Sequence, residues 1–132
     1  MSNSVSNIRV AVVDDDESLS RSMVRLLRTA GMRPIAYSSA EAFLADDNRP
    51  NFDCLFLDIQ LGGISGIELS RRLTRAGSKT PVVFSTAYDR PNLRDEAFQT
   101  GCAAYLRKSV SGETVLSAIR DAIQSNPEGS ME

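Results

Sequence analysis

Along the chain, short apolar runs alternate with longer segments whose apolar residues recur every three or four positions. Residues 8–13 form the first run, and their near-continuous apolar character predicts a strand covered on both faces. Asp16 then stands at a helix N-cap position, ahead of Leu19, Met23, Leu26, Leu27 and Ala30, which share one helical face. Gly31 stops that helix, and residues 33–37 read as a second strand. Ser38, with Glu41 three positions later, reads as a capping box opening a helix over residues 39–46. The alternation continues with strands over 52–57, 81–84 and 103–106 and helices over 64–76, 92–100 and 111–125. Five strand-then-helix repeats predict an α/β fold, a parallel sheet with helices on both faces. Right-handed crossovers favour a doubly wound sheet of strand order 2-1-3-4-5.

At 132 residues the chain is long enough for one domain, with a core over about residues 8–125 and short polar tails. Met1–Asn7 reads as a frayed, cytosolic start, and the closing NPEGSME is too short and polar for another element. Fifteen Lys and Arg against seventeen Asp and Glu give a net charge of −2, so no overall field draws the chain to nucleic acid or an acidic membrane. No apolar run approaches the roughly 20 residues of a membrane span. Cys54 and Cys102 lack CxxC spacing and read as small buried hydrophobes. The absence of histidine removes His-based triads and most zinc sites. Carboxylates, hydroxyls and lysine are left to do any chemistry, in a cytoplasmic protein.

In open parallel sheets, ligands bind beyond the carboxyl ends of the strands, near the switch in strand order. Here the switch falls between the first and third strands. The first strand delivers Asp14 and Asp15, the third Asp58, the fourth Ser85 and Thr86, and the fifth Lys108. Three converging carboxylates invite a hard cation, and without His or Cys it is Mg²⁺ or Mn²⁺. Mg²⁺ commonly shares its shell with phosphate oxygens, and an ammonium and a hydroxyl would meet the other oxygens. The set suits an aspartate nucleophile that accepts a phosphoryl group.

The stretches VVDDDES, FDCLFLDIQLGGISGIEL, PVVFSTAY and AAYLRKS, in this order and at strand ends, resemble the receiver domain of two-component response regulators. The resemblance covers roughly residues 8–125 and extends to receivers of regulators with a LuxR-type helix-turn-helix output, as in FixJ. It implies the flavodoxin-like (βα)5 form of the sheet. It makes Asp58 the phosphoacceptor, Asp14 and Asp15 the acidic metal pair, and the backbone carbonyl of Gln60 a further Mg²⁺ ligand. Thr86 becomes the switch hydroxyl, Lys108 the phosphate partner, and Tyr105 the aromatic that turns inward when Thr86 moves. Gln60 and Tyr88 fall where relatives vary and tune the lifetime of the acyl phosphate. The implied partners are a histidine kinase or phosphotransfer protein, then a second receiver or an output domain outside this chain. The receiver is then no enzyme in its own right, but a phosphoacceptor that assists its own phosphorylation and dephosphorylation. No helix-turn-helix or basic patch accompanies it, so direct contact with nucleic acid is not expected.

Taken singly, several residues also read otherwise. Asp16 is a helix cap rather than a metal ligand, and Ser85 a packed hydroxyl. Tyr105 alternates with Leu106 and also reads as a static, half-buried aromatic. Arg90, Arg94 and Arg107 either line a partner-binding face or are simply solvated. Two positions depart from the family pattern. Ser109 follows the lysine where proline is usual, so the Lys108–Ser109 bond is either trans in a repacked loop or a strained cis bond. Gly62 also replaces a usual proline, and Gly62–Gly63 should loosen the loop after Asp58. Two further readings stand beside the first. Residues 14–18 partly match the DxDx(T/V) motif of haloacid-dehalogenase-like phosphatases, with Asp14 as nucleophile. The loop departures also fit a degenerate receiver that only binds protein.

Overall fold

β1 (Arg9–Val13) lies inside the sheet, and alternation along it explains the layers. Val10 and Val12 face one side with Cys54, Phe56 and Val83, whereas Ala11 and Val13 face the other with Leu55, Leu57 and Phe84. Neither side is left to solvent, which is why these strands show no polar alternation. The computed structural model describes residues 7–125; residues 1–6 and 126–132, where most of the polar tails fall, lie outside them.

From β1 the chain runs through α1 (Glu17–Thr29), β2 (Arg33–Tyr37), α2 (Ala40–Ala45), β3 (Cys54–Asp58) and α3 (Gly66–Arg75). It continues through β4 (Val82–Thr86), α4 (Pro91–Gln99), β5 (Ala104–Arg107) and α5 (Gly112–Gln124). All strand pairs are parallel and the order is β2-β1-β3-β4-β5, as the alternation predicts. Leu27 of α1 and Val115, Ile119 and Ala122 of α5 cover one face; Phe43, Ile67, Leu69 and Ala97 of α2, α3 and α4 cover the other. Each such large side chain removed from water contributes about 1.5–3 kcal/mol.

Four of the five helices carry side-chain caps. Asp16 accepts from the Leu19 N–H at 3.1 Å, as its position predicts. Ser65 and Ser111 do the same for α3 and α5. The capping box at α2 is a correction. Ser39, not Ser38, is the cap, accepting from Ala42 N–H at 2.9 Å. Glu41 instead reaches across to accept from the Ile64 backbone N–H at 2.8 Å. α4 has no side-chain cap; Pro91 starts it, and only Ala97 of its residues is fully buried. It has the fewest buried residues of the five helices, a feature of segments that open at low cost.

Other differences are local. Leu19, expected on the buried face of α1, is 42 % exposed. α3 begins at Gly66 rather than 64 because Ser65 takes the cap. β3 and β4 run on through Asp58 and Thr86, because the ladder pairs Asp58 with Ser85 and Thr86 with Arg107 despite their polarity. No peptide bond among the described residues is cis, so Lys108–Ser109 is trans. Cys54 and Cys102 are free thiols, buried and half-buried.

Candidate functional site

The register brings Asp14, Asp58, Thr86 and Lys108 to one edge. Leu57 pairs with Val13, Asp58 with Ser85, and the Lys108 N–H donates to the Thr86 carbonyl at 2.9 Å. Lys108 Nζ donates to Asp14 Oδ2 at 3.0 Å and stands 3.2 Å from Asp58 Oδ2. The other oxygens are held by the backbone. Asp14 Oδ1 accepts from the Asp16 N–H at 2.9 Å, and Asp58 Oδ1 from the Gln60 N–H at 3.1 Å. Asp14 and Asp58 are buried, whereas Asp15 is exposed.

Two carboxylates beside one ammonium leave a charge excess. Burial first, and then the Asp14 charge, push the Asp58 carboxyl up to about 6, against the pull of Lys108. Burial draws the Lys108 ammonium down, but the hydrogen bond to Asp14 and both carboxylate charges outweigh it, and its pKa is raised. Carboxylate oxygens of Asp14, Asp15 and Asp58 all lie within 4.8 Å of one another, with no nitrogen or sulfur donor among them. This is the donor chemistry of a hard divalent cation. Asp16 lies outside the cluster, its side chain taken up by the α1 cap.

Thr86 is fully buried. Its hydroxyl has Gln60 Oε1 at 2.9 Å and the Tyr88 carbonyl at 3.0 Å as acceptors, and it accepts from the Tyr88 N–H at 3.0 Å. Tyr105 is largely buried, with Phe98 tilted against it and the Arg94 guanidinium 5.1 Å from its ring centre. Among the described residues no group stands within full hydrogen-bonding distance and geometry of its buried hydroxyl. Burial foremost, then the nearby Asp89 charge, raise its pKa. Arg94 and Arg107 are half-exposed or more, and both reach Asp89, Arg107 Nε at 3.0 Å and Arg94 at 3.4 Å. Their guanidiniums, the Arg107 hydrogen bond first, hold the Asp89 carboxyl below the usual range.

A sequence profile for the response regulator receiver domain matches residues 10–120. The chain belongs to this family. Curated relatives of the receiver include the response regulator protein TmoT of Ectopseudomonas mendocina, 30 % identical over 119 residues, which are 90 % of this chain and 54 % of TmoT. The transcriptional regulatory protein FixJ of Azorhizobium caulinodans is 30 % identical over 117 residues, 89 % of this chain and 56 % of FixJ. The receiver thus spans about half the length of the curated relatives it matches. Among solved structures, response regulator StyR is 36 % identical with a TM-score of 0.81, over 91 % of this chain and 61 % of StyR. A CheY-like receiver domain from Methanospirillum hungatei JF-1, 22 % identical, has a TM-score of 0.84 over 92 % of this chain and 97 % of its own, a likeness of fold. The strand order expected from the alternation, and the flavodoxin-like form that the resemblance implied, are those observed.

All the strand-end residues singled out in the sequence lie at this edge, Asp15 at its exposed rim. Two contacts were not legible there. Gln60 was read for its carbonyl and as a position that tunes the acyl phosphate's lifetime, but its side-chain contact with Thr86 was not foreseen. Glu41 was read as a local cap partner, yet it ties α2 to the loop after Asp58. Among the described residues no helix is long and apolar enough to cross a membrane.

Proposed function

We propose that the receiver takes a phosphoryl group onto Asp58 from a histidine kinase or phosphotransfer protein, and that this modification switches its α4-β5-α5 surface. The observation that carries the reading is Lys108, shared between Asp14 and Asp58 at 3.0 and 3.2 Å beside a third carboxylate. A carboxylate oxygen of Asp58 would attack the phosphorus of a phosphohistidine. The P–N bond would break, the imidazole nitrogen would leave with the bonding pair and take up a proton, and an acyl phosphate would remain. Asp14, Asp15, Asp58 and the Gln60 carbonyl would hold Mg²⁺, which supplies positive charge to the transferring phosphoryl oxygens when bound. Lys108 would stabilise another of those oxygens as a preplaced cation. The Gln60 N–H on Asp58 Oδ1 fixes the carboxylate plane, so one oxygen is presented for attack.

An apolar groove beside the site, lined by Leu19, Met23, Leu26 and Val110, offers a phosphodonor protein a place against α1 and the β5–α5 loop. On the far side, Thr86 would turn toward the phosphoryl group and Tyr105 inward, biasing the sparsely buried α4. The readout would be a second receiver or an output domain, as the relatives' greater length suggests. The site chemistry is that of a single covalent modification, and a cytoplasmic location goes with a kinase partner.

Acetyl phosphate with Mg²⁺ should add one phosphoryl group by intact mass. The adduct should vanish in Asp58→Asn. An adduct of equal yield in that variant would overturn the assignment, and steady ester turnover lost in Asp14→Asn alone would favour a phosphatase instead.

A further inference from the structure

Gln60 touches both halves of the proposed switch. Its backbone N–H donates to Asp58 Oδ1 at 3.1 Å, while its side-chain carbonyl lies 2.9 Å from Thr86 Oγ1. The Thr86 hydroxyl is fully buried and has a single proton. That proton has two acceptors in reach, Gln60 Oε1 and the Tyr88 carbonyl, and the oxygen already accepts from the Tyr88 N–H. The hydroxyl's one proton is therefore taken up without any ligand at Asp58. Turned over, the Gln60 amide would donate to the same oxygen and leave the proton to Tyr88, so the contact survives either orientation of the amide.

Resting on the reading of Asp58 as phosphoacceptor and Thr86 as switch, we infer that the Gln60 side chain is a latch that holds Thr86 in the resting position. Thr86 cannot donate to a phosphoryl oxygen while its proton serves Gln60 or the Tyr88 carbonyl, and the Gln60 contact, in either orientation of the amide, holds its oxygen in the resting position. Phosphorylation must break the contact, and its strength sets part of the resting-to-active equilibrium. Gln60 is then a positioning residue acting through Thr86. Its neighbourhood supports that role. The loop bearing it is tied down two ways, by Glu41 on the Ile64 N–H at 2.8 Å and by the Gly66 N–H on the Ile59 carbonyl at 3.1 Å. A side chain on an anchored loop makes a better latch than one on a free loop, because less ordering accompanies the contact.

The test uses beryllofluoride with excess Mg²⁺ as the phosphoryl mimic, on the wild-type chain, Gln60→Leu and Gln60→Glu. The readouts are the Thr86 methyl resonance and the apparent dissociation constant. Gln60→Leu should move the resting Thr86 resonance toward its mimic-bound position and tighten binding about fivefold, which corresponds to one net hydrogen bond of about 1 kcal/mol. Gln60→Glu, which keeps an acceptor, should retain the resting resonance. In a Thr86→Ala background, Gln60→Leu should no longer change the affinity. An unmoved Thr86 resonance in resting Gln60→Leu, with affinity within twofold of wild type, overturns the latch. An equal tightening in the Thr86→Ala background overturns it as well. Should the wild-type chain take no beryllofluoride, the phosphoacceptor reading falls. The latch then falls with it, whereas mimic binding by the wild-type chain with an unmoved resonance in resting Gln60→Leu overturns the latch alone.

Discussion

Replacing Asp58 with Asn should make the metal-free receiver more stable at neutral pH, although it removes the reacting group. The reason is the charge excess at the edge. Asp58 is buried beside Asp14, and the one ammonium of Lys108 is shared between them. Its carboxyl is raised from 3.8 to about 6, burial being the larger cause and Asp14 the second. A raised carboxyl favours the folded state while protonated. As pH climbs from about 4 the unfolded chain ionises first, and stability falls until the folded-state group has ionised near 6. Above that the penalty is constant. A rise of about two pH units, at about 1.36 kcal/mol each, sets a ceiling of about 3 kcal/mol, which solvent screening at this partly open edge reduces. Asn keeps the shape and one acceptor for the Gln60 N–H, and leaves Lys108 to Asp14. For a chain of this size that ceiling corresponds to roughly 10 °C in melting temperature. Thermal unfolding in EDTA at half-unit steps from pH 4 to 8 measures it. The two proteins should melt together near pH 4, diverge between 4 and 6, and hold a constant gap above. Equal midpoints throughout, or a less stable Asp58→Asn at pH 8, would show that Lys108 already neutralises the pair and refute the reasoning.

Removing the cation should act the other way. Lys108→Met strands two buried carboxylates and should cost about 2–4 kcal/mol in urea unfolding at pH 8, with part recovered on adding Mg²⁺, since a dication replaces the lost charge. Gly66→Ala should destabilise by about 1–3 kcal/mol, although an alanine at an ordinary helix position helps, because its Cβ would run into the Asp58 carbonyl. The same variant should slow phosphorylation by acetyl phosphate in a time course followed by intact mass, as β3 and α3 can no longer close on each other at Asp58.

Much of this site could be read from the chain because a parallel sheet sends every strand's carboxyl end to one edge. Once the apolar runs are counted, Asp14, Asp58, Thr86 and Lys108 must meet, whatever the details of packing. Asp16 was legible for a different reason: an N-cap is satisfied by a backbone N–H three residues away, so sequence distance and spatial distance agree. Glu41 shows where that agreement fails. The three-residue spacing from Ser38 suggested a local partner, but a backbone N–H 23 residues on, in the loop after Asp58, took the carboxylate. Leu19 has the right period for burial, yet α1 leaves it 42 % exposed beside the site.

The chain by itself therefore determined the layers, the strand order and which chemical groups share an edge, since these follow from periodicity and the handedness of crossovers. Only the tertiary structure decided how those groups are paired. Lys108 stands between Asp14 and Asp58, 94 residues from the first, and Gln60 points its amide at Thr86, 26 residues away. Such pairings depend on loop paths and side-chain rotamers to within an ångström, and a hydrogen bond weakens steeply over that distance, so no pattern of residue types along the chain specifies them.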